Sequence, residues 1–251
     1  MCVTAEKIID FNPFLEVIET EKKPKRPSVN QQHSKEVYPI RESENIQKCI
    51  DVLNQKIERW RGNSTKYKLA KRNKMLFVVG INVGIRASDL VKLQFSFFMD
   101  GFGHMKESYV IKPEKTKNKN KYVTLFFNPV VQKVVADYKK EFGCRIDDYL
   151  FPSQKCNDYG DVVPLKAKEL WRIMDNLAKD AELPYNIGSH SLRKTFGYWA
   201  YQNAKDKTAR VQLLQKIFNH SSPLVTLTYI GITYEDIEEV FNSLDFGVEL
   251  T

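Results

Sequence analysis

The spacing of apolar residues predicts a mostly helical protein from residue 41 onward. In the first predicted helix, apolar residues recur on one face: Ile46, Ile50, Leu53 and Ile57. The segment KYKLAKRNKMLFVVGINVGI, residues 66–85, predicts a more buried helix that ends near its glycines. The following ASDLVKL predicts another helix, with Ser88 as its cap.

Two short β-rich runs interrupt the helical pattern. They are SYVI at 108–111 and KYVTLFF at 121–127, and the polar, turn-like KPEKTKNKN lies between them. This order predicts an antiparallel β-hairpin. Further helices are predicted after Pro129, around 170–177, and at 191–203, 207–218 and 233–243. The predicted fold class is therefore α+β, mainly helical, with a small antiparallel sheet.

Residues 1–37 differ from the rest of the chain, because EKKPKRPSVNQQHSKE is charged, polar and interrupted by two prolines. Such a composition is typical of a linker or arm. We therefore divide the chain into a polar N-terminal arm at 1–37 and one domain at 38–251. The last predicted helix of that domain, at about 233–245, starts with Thr233 and Asp236 in a spacing similar to a capping box.

The formal charge of +8 and the pI of about 9.1 favour a polyanionic partner, most simply nucleic acid. The four cysteines show no CxxC spacing and no histidine at ligand spacing, so we expect reduced thiols and no metal site. The chain has no basic and apolar leader and no apolar run long enough for a membrane span. We expect a soluble, cytoplasmic protein with no membrane partner.

The motif GINVGIRASDLVKL places Arg86 after a glycine-rich turn, where a helix begins. Its guanidinium can fork onto a phosphate, and Asp89 can hold it in place. An arginine and an aspartate at this spacing also form ordinary surface pairs on helices. The motif alone leaves both interpretations open.

Five lysines fall within ten residues of the predicted hairpin: Lys112, Lys115, Lys117, Lys119 and Lys121. Such a run is commonly a solvated loop. A hairpin tip can also enter a DNA groove and bring one ammonium group to a chemical step.

The stretch SHSLRKTFGYWAYQ, residues 189–202, predicts a helix whose first turn is positively charged. His190 and Arg193 are three residues apart and share a face, with Lys194 beside them. A helix N-terminus already carries partial positive charge and binds anions well. The additional positive charge therefore indicates a site for an anion.

The stretch NHSSPLVTLTYIGIT contains a candidate nucleophile. Ser222 and Pro223 suit a helix start, and His220 lies nine residues before Tyr229. A phenol has a pKa of about 10, so it needs neighbouring cations to become a nucleophile.

Two arginines, two histidines, a lysine and a tyrosine can surround one phosphodiester. Fixed positive groups stabilise the extra negative charge of its pentacoordinate transition state. Attack by the tyrosine leaves a 3′-phosphotyrosyl bond and a free 5′-hydroxyl. Because the bond energy is conserved, the hydroxyl of another strand can reverse the step without metal, ATP or any other cofactor.

Six residues occur in an order that resembles the phage-integrase, or tyrosine recombinase, family: Arg86, Lys115, His190, Arg193, His220 and Tyr229. The resemblance covers about residues 38–245 and is closest to integrases of Gram-positive phages and mobile elements. It implies a site-specific recombinase that integrates or excises DNA. The alternatives are a catalytically silent DNA-binding regulator with the same fold and a type IB topoisomerase, which shares the chemistry.

The resemblance implies a role for each residue. Arg86 and Arg193 would clamp the non-bridging oxygens of the scissile phosphate, and Tyr229 would be the nucleophile. His190 would act in proton transfer, and His220 would hydrogen-bond the phosphate.

The catalytic lysine has more than one candidate. Lys115 matches the family's KT pattern and would protonate the leaving 5′-oxygen, but Lys117 or Lys112 could substitute. Asp89 would support the site. The remaining basic candidates would contact double-stranded DNA: Lys112, Lys117, Lys119, Lys121 and Lys194.

The chain departs from the family near both ends. Most members carry a core-binding domain of several helices before the catalytic domain, and residues 1–37 are too few for one. We therefore expect weaker DNA binding, which an oligomer or an accessory DNA-bending or directionality factor could compensate.

The predicted last helix is acidic with an apolar stripe. The family implies that it packs onto a neighbouring protomer in a ring-like tetramer, and packing in cis is the alternative.

Overall fold

The computed structural model of the chain describes residues 36–114, 122–232 and 243. Within them the chain forms a mainly helical α+β fold, which confirms the predicted class. Several predictions lie outside these residues: the arm up to residue 35, the helix at 233–245 apart from residue 243, and Lys115, Lys117, Lys119 and Lys121.

In chain order the described helices are α1 (Ser43–Arg59), α2 (Ser64–Val83), α3 (Ala87–Leu90), α4 (Phe95–Phe98), α5 (Pro129–Phe142), α6 (Ala167–Asp180), α7 (Ser191–Gln202), α8 (Lys207–Phe218) and α9 (Pro223–Ile230). The described strands are β1 (Ser108–Ile111), β2 (Val123–Phe126), β3 (Pro152–Cys156) and β4 (Val162–Pro164). They form two antiparallel hairpins, β1 with β2 and β3 with β4. The predicted hairpin is confirmed, with Tyr109 opposite Leu125.

Helix α2 is central to the fold, because its C-terminal half is apolar on nearly all sides. Its fully buried residues include Met75, Leu76, Phe77 and Val79. It packs against α1, α5 and α7. Gly84 ends it with a φ of 66°, a left-handed conformation that glycine adopts at little cost. A Cβ there would lie 2.2 Å from Cδ1 of Phe196, so glycine also lets α7 approach closely.

The prediction that Ser88 caps the next helix is wrong. Arg86 occupies the N-cap position in extended backbone, with φ −67° and ψ 150°. Its carbonyl accepts hydrogen bonds from the backbone N–H groups of Asp89 and Leu90. The helix therefore begins at Ala87, and Ser88 lies inside its single turn.

The sequence pattern does not predict α4 or the β3–β4 hairpin. The segment PSQKCNDYGDVVP has no regular alternation of apolar and polar residues and contains two prolines. The side-chain oxygen of Asn157 holds its turn, because it accepts the backbone N–H groups of Tyr159 at 3.0 Å and of Asp161 at 2.7 Å. This hairpin thus rests on turn chemistry rather than on buried apolar faces.

Most buried apolar side chains form one core, to which α1, α2, α5 and α6 contribute; we call it the main core. A second, small cluster centres on Leu214, Phe218 and Ile230, and residues of α7 pack against it. We call residues 207–232, which hold these three side chains, the C-terminal unit. In the described ranges, no helix combines the length and apolarity that a bilayer span requires.

Candidate active site

Arg193 is a buried cation at the junction of the two clusters, with 6% of its surface exposed. Its Nη1 donates to the carbonyl of Gly84 at 2.7 Å, and its Nη2 donates to the carbonyl of Phe218 at 3.2 Å. The guanidinium carbon lies 4.3 Å from the ring centroid of Phe218. Burial lowers the pKa of Arg193 to about 10, so the side chain stays charged at neutral pH.

Arg86 follows the end of α2 and is half-buried. Among the described residues, its guanidinium forms no hydrogen bond or ion pair, so the expected pairing with Asp89 is absent. Its charge still acts inside the site, because it lowers the pKa values of His220 and Tyr229. Arg86 is therefore a partly desolvated cation with all its donors available.

Asp89 connects the site to the β1–β2 hairpin instead. Its Oδ1 accepts a hydrogen bond from the backbone N–H of Glu114 at 2.9 Å. The Glu114 carboxylate forms an ion pair with Lys92. These contacts fix the residue that directly precedes Lys115, whereas Lys115 itself lies outside the described residues. Lys112 is described, and its Nζ lies 5.9 Å from the ring centroid of Tyr122.

Tyr229 lies near the end of α9, and the predicted start of that helix is confirmed. The Ser222 hydroxyl caps it by accepting the backbone N–H of Val225 at 3.2 Å, and Pro223 takes the first position. The Tyr229 ring meets the rings of Phe218 and His220 edge-on, at centroid distances of 5.5 and 5.0 Å. The phenol is thus packed between the end of α8 and its own helix.

Burial raises the pKa of the Tyr229 phenol, whereas Arg193 and Arg86 lower it. Burial dominates, so Tyr229 is a neutral phenol at neutral pH. Two guanidinium groups nevertheless act on the same oxygen and favour its phenolate form. This is the electrostatic setting that a tyrosine nucleophile requires.

His220 follows α8 after Asn219, which adopts a left-handed backbone with φ 55°. Its Nδ1 lies 3.1 Å from Oγ1 of Thr226. Burial lowers the pKa of the imidazole, and the charges of Arg193 and Arg86 lower it further. His220 is therefore mainly neutral at neutral pH.

The three basic residues at the start of α7 have different surroundings. His190 takes the N-cap position with an exposed side chain, whereas Arg193 points into the protein. Lys194 is half-buried, and its Nζ donates to the carbonyl of Val37 at 2.8 Å. The same Nζ lies 5.6 Å from the ring centroid of Tyr229.

A groove of about 650 Å³ runs along this site. Arg86, Asp89 and Arg193 line its polar part, and apolar side chains such as Ile111 and Ile217 line the rest. Of the predicted residues, Arg86 and Arg193 line the groove and also act electrostatically on His220 and Tyr229, which are not among its lining residues.

Sequence reasoning missed two residues of the site. Phe218 supplies both the carbonyl and the ring that hold Arg193. Thr226 contacts His220 from inside α9. Thr226 lies four residues before Ile230 and shares its apolar helix face, which was the signal available in the sequence. Nothing local in the sequence indicates the carbonyl of Phe218.

Residues 47–236 match the sequence model of the phage integrase family. The chain belongs to this family. It is 34% identical over 196 residues to the probable integrase/recombinase YoeC of Bacillus subtilis, a match that covers 78% of this chain and 90% of that protein. The predicted family is thereby confirmed, and the chain is by family a tyrosine-type site-specific recombinase.

Two further relatives are more distant. The chain is 24% identical over 204 residues to the tyrosine recombinase XerD of Oceanobacillus iheyensis, a match that covers 78% of this chain and 62% of that protein. The XerH site-specific recombinase, solved bound to palindromic difH substrate as a post-cleavage complex, superposes with a TM-score of 0.56 at 19% identity. That match covers 84% of this chain and 54% of XerH, and it shows a shared fold.

Proposed function

We propose that this chain cleaves and rejoins DNA strands at a specific site through a 3′-phosphotyrosyl intermediate. One observation carries the proposal: the Arg193 guanidinium and the Tyr229 ring pack against the same Phe218 ring, at 4.3 and 5.5 Å from its centroid, and Arg86 also lowers the pKa of the phenol. A tyrosine next to two fixed cations is suited to attack a phosphodiester, because the same cations stabilise the phenolate and the transition state.

Arg86 and Arg193 bind the scissile phosphate. A guanidinium has five N–H donors, and Arg193 uses two nitrogens for carbonyls of the protein, which fixes its orientation. Arg86 has every donor available for the non-bridging oxygens, to which it can bind in a bidentate manner. The phosphate supplies the anion that neither cation has in the described part of the chain.

In the cleavage step, the Tyr229 oxygen bonds to phosphorus and the bond from phosphorus to the 5′-oxygen breaks. The leaving oxygen takes its proton from Lys115, whose neighbour Glu114 is held by Asp89. The phenolic proton of Tyr229 passes to His190 as its oxygen bonds to phosphorus, and His220 hydrogen-bonds the phosphate. Attack by a 5′-hydroxyl on the phosphotyrosyl bond reverses the step and joins the strands.

Double-stranded DNA is the proposed substrate. The XerH site-specific recombinase was solved bound to palindromic difH substrate, and the net charge of +8 of this chain suits DNA as a partner. The lysines of the hairpin and Lys194 are proposed DNA contacts, although in the free protein the Lys194 ammonium is bonded to Val37. We further propose that the protein integrates or excises a phage or mobile element in the bacterial cytoplasm. It would assemble as a tetramer through the helix predicted at 233–245 and could use an accessory factor.

A library of nicked suicide duplexes tests the proposal, because the short fragment that carries the new 5′-hydroxyl diffuses away after cleavage, which traps the covalent adduct. We expect adducts that survive denaturing electrophoresis, with one sequence enriched among the attached strands. Tyr229→Phe should abolish them and retain binding to the enriched sequence. Specific binding without any adduct would instead support the silent DNA-binding regulator and contradict strand cleavage.

A further inference from the structure

A chain of side-chain contacts runs from His220 into α9. Nδ1 of His220 lies 3.1 Å from Oγ1 of Thr226, and Oγ1 of Thr226 lies 3.2 Å from the carbonyl oxygen of Ser222. Thr226 is completely buried, with 0% of its surface exposed. A buried hydroxyl normally needs hydrogen-bond partners, and these two contacts supply them.

The arrangement decides which imidazole nitrogen carries hydrogen. A threonine hydroxyl has one hydrogen to donate, and the carbonyl of Ser222 can only accept. Donation from a helical threonine to the carbonyl four residues earlier is a common pattern. With its hydrogen used there, Oγ1 of Thr226 must accept from His220, so Nδ1 of His220 carries the hydrogen.

We propose that Thr226 is a positioning residue that fixes His220 as the Nδ1–H tautomer and leaves Nε2 as the nitrogen available to the reaction. The part of this inference that concerns the reaction rests on the proposed function, whereas the tautomer does not. The opposite arrangement, with the hydroxyl donating to Nδ1, would leave the 3.2 Å contact to Ser222 without a hydrogen.

The tautomer has a consequence for the phosphate. In neutral His220, Nε2 has a lone pair and only accepts hydrogen bonds. The charged groups that act on the imidazole are Arg193 and Arg86, which disfavour its protonation, and the neutral phenol of Tyr229 packs against its ring. Nε2 must therefore take up a proton before it can donate to a phosphate oxygen, and the arriving phosphate anion supplies the favourable charge.

The tautomer can be measured directly on the full chain without DNA, by long-range proton–nitrogen NMR of protein labelled with ¹⁵N-histidine. The chain has four histidines, and His220→Gln assigns the signal. We expect the Nδ1–H tautomer for His220 in the wild type and in Thr226→Ser. In Thr226→Val, which keeps the side-chain shape, the population of the Nε2–H tautomer of His220 should increase. The exposed Thr228→Val on the same helix is the matched control and should match the wild type. An Nε2–H tautomer in the wild type, or an unchanged tautomer in folded Thr226→Val, would overturn the proposal.

Cleavage gives a second measurement. In single-turnover reactions with a suicide duplex, Thr226→Val should form adduct about 10- to 100-fold more slowly, the range found when a residue that orients a metal-bound histidine is removed. Thr226→Ser should restore most of the rate, and Thr228→Val should retain it. A Thr226→Val rate equal to that of the wild type would contradict the positioning role. If the wild type forms no adduct, the proposed function fails while the NMR result still decides the tautomer.

Discussion

The two clusters of the molecule divide the site between them and differ in burial. Arg86 follows α2, whose apolar C-terminal half lies in the main core. His220 and Tyr229 belong to the C-terminal unit, whose buried apolar centre among the described residues is Leu214, Phe218 and Ile230. Regions with fewer buried apolar contacts open locally at lower free energy. The candidate nucleophile is therefore carried by the part of the site that is easier to displace.

Helix α7 joins the two regions. Leu192 packs into the main core against Gly80, whereas Gly197 faces Phe218 and Ile230 of the C-terminal unit. Between them lies Arg193, which hydrogen-bonds one carbonyl of each region. A displacement of the C-terminal unit would thus break a bond to the same cation that the chemistry needs.

The segment before α1 contacts both α7 and the C-terminal unit. The backbone N–H of Ile40 donates to Oγ1 of Thr195 at 2.8 Å, and Nε1 of Trp199 donates to the carbonyl of Ile40 at 2.9 Å. A Cβ on Gly231 would lie 2.9 Å from Cγ of Pro39. Residues 37–41 therefore bind both α7 and the end of the C-terminal unit.

Replacement of Arg193 should have the largest effect on both regions. Arg193→Met removes a cation and leaves the carbonyls of Gly84 and Phe218 without their donor. We expect adduct formation to fall about 100- to 1,000-fold. The free energy of unfolding should fall by about 1–3 kcal/mol for each carbonyl. Urea denaturation and the suicide duplex measure the two effects.

Arg86→Met is the matched variant for Arg193→Met. It should reduce adduct formation to a similar degree, but it should change the free energy of unfolding by no more than about 0.5 kcal/mol. The reason is that the guanidinium of Arg86 has no hydrogen-bond partner among the described residues. Equal destabilisation by the two substitutions would contradict the bridging position of Arg193.

Truncation of Phe218 should destabilise the C-terminal unit more than the main core. Phe218→Ala creates a cavity in the small cluster, at a cost of about 3–5 kcal/mol. Hydrogen exchange should then accelerate in residues 207–232 and change little in α2. Phe151→Ala, which empties a fully buried position of the main core, should accelerate exchange in both regions. Uniform acceleration in Phe218→Ala would mean that the domain opens as a single cooperative unit.

A smaller effect is expected from Gly197→Ala. The added Cβ would lie 2.5 Å from Cγ2 of Ile230 and 2.8 Å from Cε2 of Phe218, so α7 and the C-terminal unit must move apart. We expect a loss of about 1–3 kcal/mol in thermal unfolding and slower adduct formation. The control is Gly62→Ala, whose Cβ meets no atom within 4 Å. A neutral Gly197→Ala would show that this contact does not hold the unit in place.

A change of pH should have the smallest effect on the stability of the C-terminal unit. The pKa of His220 is lowered in the folded protein below that of an ordinary histidine, mainly by burial, so the unfolded chain binds more protons as the pH falls. The C-terminal unit should therefore lose stability on acidification, and protection factors in residues 207–232 should decrease more than those in α2. His220→Gln should flatten this dependence. The same pH dependence in His220→Gln would assign it to other groups.

The sequence by itself determined the described helices other than α4, the first hairpin and the family. Each rests on information within a short window: apolar spacing for α1, a proline start for α9, alternation for β1 and β2, and the ordered motifs around Arg86, Arg193 and Tyr229. Such windows report which face of an element is buried. They do not report which distant group that face will meet.

Only the tertiary structure decided the partners within the site. Arg193 is held by carbonyls 109 and 25 residues away, and Lys194 is engaged by Val37, 157 residues away. Asp89 binds the backbone next to the hairpin turn rather than Arg86, a choice that depends on where the hairpin packs. Backbone carbonyls and amides are present at every residue, so the amino-acid sequence does not mark the ones that a buried side chain will use. Packing alone brings them within hydrogen-bonding distance.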